Sequence, residues 1–321
     1  MSAQIIVYQD SGAWGIPSTC PKCTALQTLL RFADVGYGVS PGDASPSMTE
    51  LNELPVLRVV SDKEDVVVPG LESCVEALTS VGYDAFGGLT PAQMAETKAF
   101  SCLILDRLDL ARQYEWYLED SNFTRCITKV RYQNASLPVR YVLTRLERHE
   151  VRRRLNATPW IQRGQMYQVA KECLEVLSTR LGERRKYFYG DTPRLLDALV
   201  FGEIVALLYA PIPNGRLRQM ILEYSNLLRF VENIRQTYFA DGMDEPQHLR
   251  KDDQLHQTTS PIKTAYEAAL ERTRQLFSSK KETSPIEEAR KARNRNFIIA
   301  AAASFLIFLL LGNDVEVQVS E

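Results

Sequence analysis

The sequence has no large excess of either charge. It holds 38 Lys and Arg residues against 40 Asp and Glu residues, so the formal net charge is −2. This balance excludes general electrostatic attraction to nucleic acid, and we expect no nucleic-acid partner. The 16 glycines and 15 prolines are at background levels, which excludes collagen-like and low-complexity classes. With 45% apolar residues among 321, the chain is long enough to bury a core and to form about two domains.

Residues for metal sites and hydrolytic triads are also sparse. The three histidines, His149, His248 and His256, have no partner at ligand or triad spacing, and no second cysteine or histidine pair completes a zinc site. No nucleotide-binding glycine loop or paired-carboxylate site occurs. We therefore expect no metal and no cofactor. The six cysteines lack the rhythm of a disulfide scaffold, which favours a reducing compartment.

The N-terminus lacks a basic region followed by an apolar stretch, so the sequence predicts no secretory signal. The one long apolar run lies at the opposite end, at 297–311 (FIIAAAASFLIFLLL), where only Ser304 is polar. At roughly 1.5 Å per residue the run spans about 22 Å, which is shorter than a hydrocarbon core of about 30 Å. A buried helix of the globular body is therefore an alternative.

Two features favour a membrane anchor over that buried helix. The run is apolar on every side, with no polar face for solvent, and it follows a polar stretch, 241–296, that is typical of a linker. We predict a transmembrane helix over 297–312 and a short tail over 313–321. The large apolar residues of this predicted anchor are Phe297, Ile298, Ile299, Phe305, Leu306, Ile307, Phe308, Leu309, Leu310 and Leu311.

Charges around the run predict its orientation. Four basic residues precede it, namely Arg290, Lys291, Arg293 and Arg295. Basic flanks stay on the cytosolic side, so we expect a single-pass, tail-anchored protein whose N-terminal body lies in the cytosol. A short anchor with a basic flank favours the mitochondrial outer membrane over the secretory pathway, although acidic residues behind the anchor weigh against it.

Residues 1–83 alternate between strand and helix patterns. The predicted order is a strand at 5–8, a helix at 23–32, strands at 54–60 and 66–68, and a helix at 70–81. Strand, helix, strand, strand, helix is the layout of a thioredoxin-like domain. The proline that begins the third strand of that fold is typically cis, and Pro55 stands in its place.

Residues 90–240 carry helical periodicity and no strand signal. Helices are predicted from Pro91, over 163–181 and over 193–208, the last apolar enough to be central and buried. Arginines at 145, 148 and 152–154 alternate with Glu147 and Glu150, a pattern typical of a solvated helix face. A thioredoxin-like domain followed by an all-helical domain is the glutathione-transferase architecture, an α/β plus all-α fold.

Two residue pairs in the first domain are candidates for a catalytic or ligand-binding role. Cys20 and Cys23 stand at a predicted helix start, where the helix N-terminus lowers the pKa of a thiol. Glu72 and Ser73 begin the last helix of the domain, where glutathione transferases use such a pair, with the backbone at the cis-proline (here Pro55), to hold glutathione. A lone CxxC is a weak signal, and a serine is also a common helix-start residue.

Several stretches resemble the metaxins. They are 11–18 (SGAWGIPS), 170–174 (AKECL), 177–182 (LSTRLG), 187–193 (YFYGDTP), 196–202 (LDALVFG), and a cluster of Trp116, Asp120, Asn122 and Phe123. The resemblance covers about residues 5–240, and the terminal run extends it to the tail-anchored members. One departure concerns a helix start: Arg194 stands where the family has Ser or Thr three residues before the aspartate, here Asp197. Either Thr192 caps this helix or its capping box is broken.

The resemblance implies a non-enzymatic subunit of the sorting and assembly machinery of the mitochondrial outer membrane, which supports import and insertion of β-barrel proteins. The implied partners are the barrel subunit, a second metaxin-like protein, β-barrel precursors and the membrane itself. Two alternatives stay open. One is a membrane-anchored glutathione transferase or thiol oxidoreductase that uses Cys20, and the other is an outer-membrane adaptor for mitochondrial transport.

Overall fold

A computed structural model describes residues 4–41, 53–60, 65–80, 82–132, 136–158 and 163–243. The predicted anchor, its basic flank, the tail and all but three residues of the predicted linker lie outside this described part. Within it, no helix combines the length and the apolar character that crossing a membrane requires.

The N-terminal domain contains a four-stranded sheet in the order β2-β1-β3-β4. Its strands are β1 (Gln4–Gln9), β2 (Gly38–Pro41), β3 (Val56–Val60) and β4 (Asp65–Pro69). Strand β1 pairs parallel with β2 and antiparallel with β3, and β3 pairs antiparallel with β4. The sequence prediction was wrong in omitting β2. This strand is short and lies at the sheet edge with Val39 exposed, so it lacks the apolar pattern of a buried strand.

Two helices complete this domain, α1 (Pro21–Phe32) and α2 (Leu71–Ser80). Leu26, Leu29 and Leu30 of α1 are fully buried, as are Val7 and Leu57 of the sheet. The predicted cis-proline is confirmed, because the Leu54–Pro55 peptide bond is cis. The Pro55 carbonyl accepts a hydrogen bond from the Gly70 N–H at 2.8 Å, which joins the start of β3 to the start of α2.

The regular elements of the second domain are all helices in its described part. From Pro91 to Arg131 the chain alternates between α and π geometry: α3 (Pro91–Leu103), a π segment (Ile104–Asp109), α4 (Leu110–Gln113), a π segment (Tyr114–Leu118), α5 (Asp120–Asn122), a π segment (Phe123–Ile127) and α6 (Thr128–Arg131). The remaining helices are α7 (Leu137–Asn156), α8 (Arg163–Leu181), α9 (Leu195–Tyr209), α10 (Arg216–Leu222) and α11 (Ser225–Tyr238). The helix predicted over 163–181 is confirmed in both bounds.

Helix α9 is buried along its whole length, as its apolar sequence predicts. It packs directly against α1 of the first domain. Gly202 permits this approach, because a Cβ atom at this position would lie 2.5 Å from the Pro21 carbonyl oxygen. The two domains therefore share one continuous core.

The start of α9 resolves the question about its cap. The helix begins at Leu195 with Arg194 at the N-cap position, so Thr192 does not cap it. One carboxylate oxygen of Asp197 accepts the Arg194 N–H at 2.7 Å, and the other accepts the Phe188 N–H at 2.9 Å. The reciprocal hydrogen bond of a capping box, from the Asp197 N–H to the side chain at position 194, is absent because a guanidinium group has no acceptor atom. One of the two hydrogen bonds of the capping box is thus retained, and Asp197 also stabilises the preceding turn through its bond to Phe188.

Candidate functional site

A cavity of about 550 Å³ lies between the two domains. The first domain contributes the loop after β1 and the N-terminus of α1, and the second contributes the π segments, α4 and α7. Three of its aromatic or apolar lining residues, Trp116, Tyr117 and Ile127, stand on π segments. A π turn shifts the face on which later side chains project, so the unusual helix geometry directs these side chains toward the cavity.

The loop at 11–18 is folded tightly against the cavity. Trp14 adopts a left-handed backbone conformation with φ of +57°, and Ile16 N–H donates to the Ala13 carbonyl at 2.9 Å. A Cβ atom on Gly12 would meet the Ile16 carbonyl oxygen at 2.8 Å, so only glycine fits there. The turn directs Trp14 toward Trp116 in an edge-to-face contact with ring centroids 5.6 Å apart. One of the stretches that resemble metaxins therefore builds a cavity wall.

Cys20 is the N-cap residue of α1 and lines the cavity, whereas Cys23 is fully buried behind it. A hydrogen bond from the Cys23 thiol lowers the pKa of Cys20, while burial and the carboxylate of Asp10 oppose this shift. Burial raises the pKa of Cys23 well above its ordinary value. The pair therefore places one half-buried sulfur with a lowered pKa at the cavity and keeps its neighbour protonated.

Glu53 and Lys22 form an ion pair at the end of the cavity nearest to α2. The Lys22 ammonium lies 3.6 Å from the Glu53 carboxylate, and both residues line the cavity. A Cβ atom on Gly70, directly before α2, would lie 3.2 Å from that carboxylate. A side-chain carboxylate of the protein itself therefore stands beside the start of α2. Glu72 and Ser73 in the first turn of this helix are exposed to solvent.

A buried charge cluster lies beneath Trp116. The Arg112 guanidinium donates to the Asp109 carboxylate and, at 3.2 Å, to the Glu203 carboxylate, and it stacks 4.8 Å from the Trp116 ring centroid. Burial raises the pKa of Glu203, and the neighbouring Arg112 opposes that shift. Because one guanidinium serves two buried carboxylates, the cluster has no positive charge left over for an anionic ligand.

A second cluster connects the cavity wall to both domains. Arg131 forms ion pairs with Asp10 of the first domain at 2.5 Å and with Glu147 of α7 at 2.8 Å. Glu147 also accepts hydrogen bonds from the hydroxyls of Tyr117, at 3.2 Å, and Tyr132. The polar groups of this wall thus bind one another.

The structure brings only part of the predicted glutathione or thiol site together. Cys20 faces the cavity, while Cys23 and Pro55 are buried behind its wall and Glu72 and Ser73 lie outside it. Whether these residues bind glutathione stays a prediction. Sequence reasoning did not identify Trp14, Arg112 or Arg131 as lining residues. One sequence signal could have indicated the buried cluster: Glu203 lies in the apolar middle of α9, where a buried charge requires a partner.

The described residues contain no group of three or more histidine, cysteine, aspartate or glutamate side chains arranged to hold a metal ion. Most charged groups around the cavity belong to ion pairs within the protein, but two buried polar atoms of lining residues, the Trp116 Nε1–H donor and the Gln113 Oε1 acceptor, have no hydrogen-bond partner in the described structure. The cavity therefore offers a ligand aromatic surface, the Cys20 thiol, one indole N–H donor and one amide oxygen acceptor.

Two family models match the chain. The model described as glutathione S-transferase N-terminal domain matches residues 21–122, and the one described as glutathione S-transferase, C-terminal domain matches residues 170–234. Among solved structures, glutathione transferase GSTFuA3 from Phanerochaete chrysosporium is similar with a TM-score of 0.52 and 14% identity, covering 72% of this chain and 96% of that protein. At this identity the likeness shows the fold alone, and it agrees with the predicted glutathione-transferase architecture.

Two curated relatives show greater sequence similarity. Metaxin-1 of Macaca fascicularis is 30% identical over 258 residues, which cover 77% of this chain and 79% of the relative. Metaxin-2 of Homo sapiens is 30% identical over 220 residues, which cover 68% of this chain and 81% of the relative.

Proposed function

Because this chain belongs to the metaxin family, we propose that it is a non-enzymatic subunit of the sorting and assembly machinery of the mitochondrial outer membrane. In this role it supports the import and insertion of β-barrel proteins beside the barrel subunit and a second metaxin-like protein. The family membership, which spans both domains, is the observation that carries the proposal. The predicted anchor at 297–312 would hold the body on the cytosolic face of the membrane.

The cavity supports a binding role over a catalytic one. At the start of α2, where glutathione transferases hold the peptide, the Glu53 carboxylate lies against Gly70 and is paired with Lys22. Because Lys22 is already paired with this carboxylate, its ammonium is not free to bind a ligand that carries carboxylates. The buried Arg112 is already paired with two carboxylates of the protein. The glutathione-transferase fold would then serve as a scaffold rather than as an enzyme.

The test is affinity purification of the full chain from mitochondrial outer membranes in mild detergent. Recovery of the barrel subunit supports the proposal. Localisation to the endoplasmic reticulum, or complete release by alkaline extraction, contradicts it. Recovery of motor proteins without the barrel subunit would favour the transport adaptor. A Leu306→Arg/Leu309→Arg variant should detach from the membrane because an arginine near the bilayer centre costs about 3 kcal/mol, whereas Ser304→Ala is the matched control that should remain.

Cys20 favours a second candidate function, because its sulfur lines the cavity at a helix start and its pKa is lowered. A membrane-anchored glutathione transferase or thiol oxidoreductase would use this thiolate as its nucleophile. The test is glutathione conjugation and disulfide reduction by the full chain. Turnover that Cys20→Ser abolishes and Cys102→Ser preserves would establish the enzyme, since Cys102 is an exposed cysteine away from the cavity. Absence of turnover in the unmodified chain would remove this candidate.

A further inference from the structure

The cavity between the two domains is lined by two buried hydrogen-bonding atoms that no described residue satisfies. We propose that the cavity binds a small neutral ligand that carries an amide group, as a lactam or a primary amide, on an apolar frame. Such a ligand would be held inside the body of the protein. Its binding therefore goes beyond the proposed function and does not depend on which proteins the chain contacts.

The two unsatisfied atoms belong to Gln113 and Trp116. Trp116 is 2% exposed and Gln113 is 9% exposed, and both residues line the cavity. The indole N–H of Trp116 is a donor and the Oε1 of Gln113 is an acceptor, and neither has a partner among the described residues. The large majority of buried polar side-chain atoms in folded proteins are hydrogen-bonded. A donor and an acceptor left unsatisfied at one cavity therefore indicate a ligand that supplies both complements.

Neighbouring contacts fix the orientation of both groups. The Nε2 of Gln113 donates to the Asp109 carboxylate at 2.9 Å, so the amide cannot be reversed without placing its oxygen against that carboxylate. The Trp116 ring contacts the Arg112 guanidinium, 4.8 Å from its centroid, and the Trp14 ring, whose centroid lies 5.6 Å away. Gln113 and Trp116 are three residues apart in adjoining helical segments and so share one face. An amide group, which carries an acceptor and a donor close together, complements such a pair.

Charge pairing in the cavity wall favours a neutral ligand. Three lining cations form ion pairs with lining carboxylates, namely Lys22 with Glu53, Arg112 with Asp109, and Arg131 with Asp10 and Glu147. Arg154 also lines the cavity, but it is exposed to solvent, where water weakens its attraction for an anion. An ionised ligand would have to break one of the existing pairs or lose its hydration without a close counter-charge. An uncharged molecule avoids both costs.

The size and the remaining lining of the cavity suit a small molecule. Its volume of about 550 Å³ lies within the range of roughly 300–1,000 Å³ that is typical of ligand pockets. Aromatic and apolar surface comes from Trp14, Tyr117 and Ile127, among others. Ligand pockets combine such surface, which contacts the frame of the ligand, with a few polar groups that set its orientation. This cavity has the same combination.

The test is equilibrium dialysis of the full chain in mild detergent against carbostyril, a neutral fluorescent lactam whose carbonyl and N–H lie side by side. Dialysis of detergent alone gives the background. We expect saturable binding of carbostyril by the unmodified chain. Binding should be about tenfold weaker for N-methylcarbostyril, which lacks the donor, and for tetrahydroquinoline, which lacks the carbonyl. This comparison of related ligands requires no altered protein.

Two variants connect each group of the ligand to its residue. Gln113→Met removes the acceptor, so carbostyril should bind about tenfold more weakly, while N-methylcarbostyril should bind as it does to the unmodified chain. Trp116→Phe removes the donor and should weaken carbostyril about tenfold more than it weakens tetrahydroquinoline. The matched control is Gln168→Met on α8, where the glutamine is exposed and lies outside the cavity lining, and its affinity for carbostyril should be unchanged. Circular dichroism would verify that each variant is folded.

Three results would overturn the proposal. The first is the absence of saturable carbostyril binding, or equal binding of carbostyril and N-methylcarbostyril, since either would mean that water suffices for the two atoms. The second is an affinity for carbostyril that is unchanged in both cavity variants. The third is tighter binding of glutathione than of carbostyril, which would show that the cavity prefers a charged peptide.

Discussion

Replacing Gly202 by alanine should weaken the contact that joins the two domains. The glycine lies within α9, where it faces the first turn of α1. An alanine Cβ would lie 2.5 Å from the Pro21 carbonyl oxygen and 3.2 Å from the Ala25 nitrogen. Both are backbone atoms of a helix, so neither can rotate away as the end of a flexible side chain could. To restore ordinary van der Waals contact the helices must separate by roughly 0.9 Å.

Two opposing effects determine the size of the loss. Alanine is a better helix former than glycine by about 1 kcal/mol, which stabilises the variant. Overpacking of a well-packed core costs about 1–3 kcal/mol, and the rigid backbone on the opposite side places Gly202→Ala at the upper end of this range. The net loss of unfolding free energy is therefore about 2 kcal/mol. For a body of this size that corresponds to a decrease in Tm of about 4–8 °C.

The assay is thermal unfolding of the full chain in mild detergent, followed by circular dichroism and by tryptophan fluorescence, since Trp14 and Trp116 lie at the domain boundary. Gly36→Ala is the matched control, because no atom lies within 4 Å of the Cβ position there and its Tm should be unchanged or slightly higher. A Gly202→Ala variant as stable as the unmodified chain would refute the argument that backbone contact between α1 and α9 holds the domains together.

Three further predictions concern buried polar groups. Burial raises the pKa of Glu115 to about 7 from an ordinary 4.5, so the stability contributed by this group falls as the pH rises from about 4.5 to 7. The difference in Tm between Glu115→Gln and the unmodified chain should therefore shift in favour of the variant from pH 5 to pH 8. A constant difference would contradict this assignment. The Asn122 amide donates to the Glu115 carbonyl at 2.9 Å and to the Asn214 carbonyl at 3.2 Å, and it accepts the Asn214 N–H at 2.9 Å. In a denaturant titration, Asn122→Ala should therefore lower the free energy of unfolding by about 3 kcal/mol. The exposed control Asn156→Ala should lower it by less than about 0.5 kcal/mol. Arg112→Leu leaves two buried carboxylates without a cation and should lower the free energy of unfolding by about 3–5 kcal/mol. The double variant Arg112→Leu/Glu203→Leu should recover part of that loss. If Arg112→Leu is as stable as the exposed-pair control Arg153→Leu, the cluster does not stabilise the fold.

Sequence periodicity was sufficient for the elements that bury a regular face. The helix over 163–181 and the central apolar helix follow from three- and four-residue spacing, which depends only on local geometry. The cis-proline at Pro55 followed from its place in a recognised domain layout. Strand β2 was missed because an exposed edge strand of four residues carries no such periodicity. The alternation of α and π segments between Pro91 and Arg131 has no local sequence signature either.

The sequence by itself determined the two-domain architecture and the family, because burial patterns and short motifs are properties of neighbouring residues. Only the tertiary structure decided what lines the cavity. Trp14 and Trp116 are about a hundred positions apart in the chain, and Glu203 reaches Arg112 from a different helix. The arginine-rich segment of α7, by contrast, was already visible in the sequence, because its six arginines and two glutamates are neighbours along the chain. Composition averages over the chain, whereas folding brings together groups that are far apart in the sequence, as it does for Arg112 and Glu203.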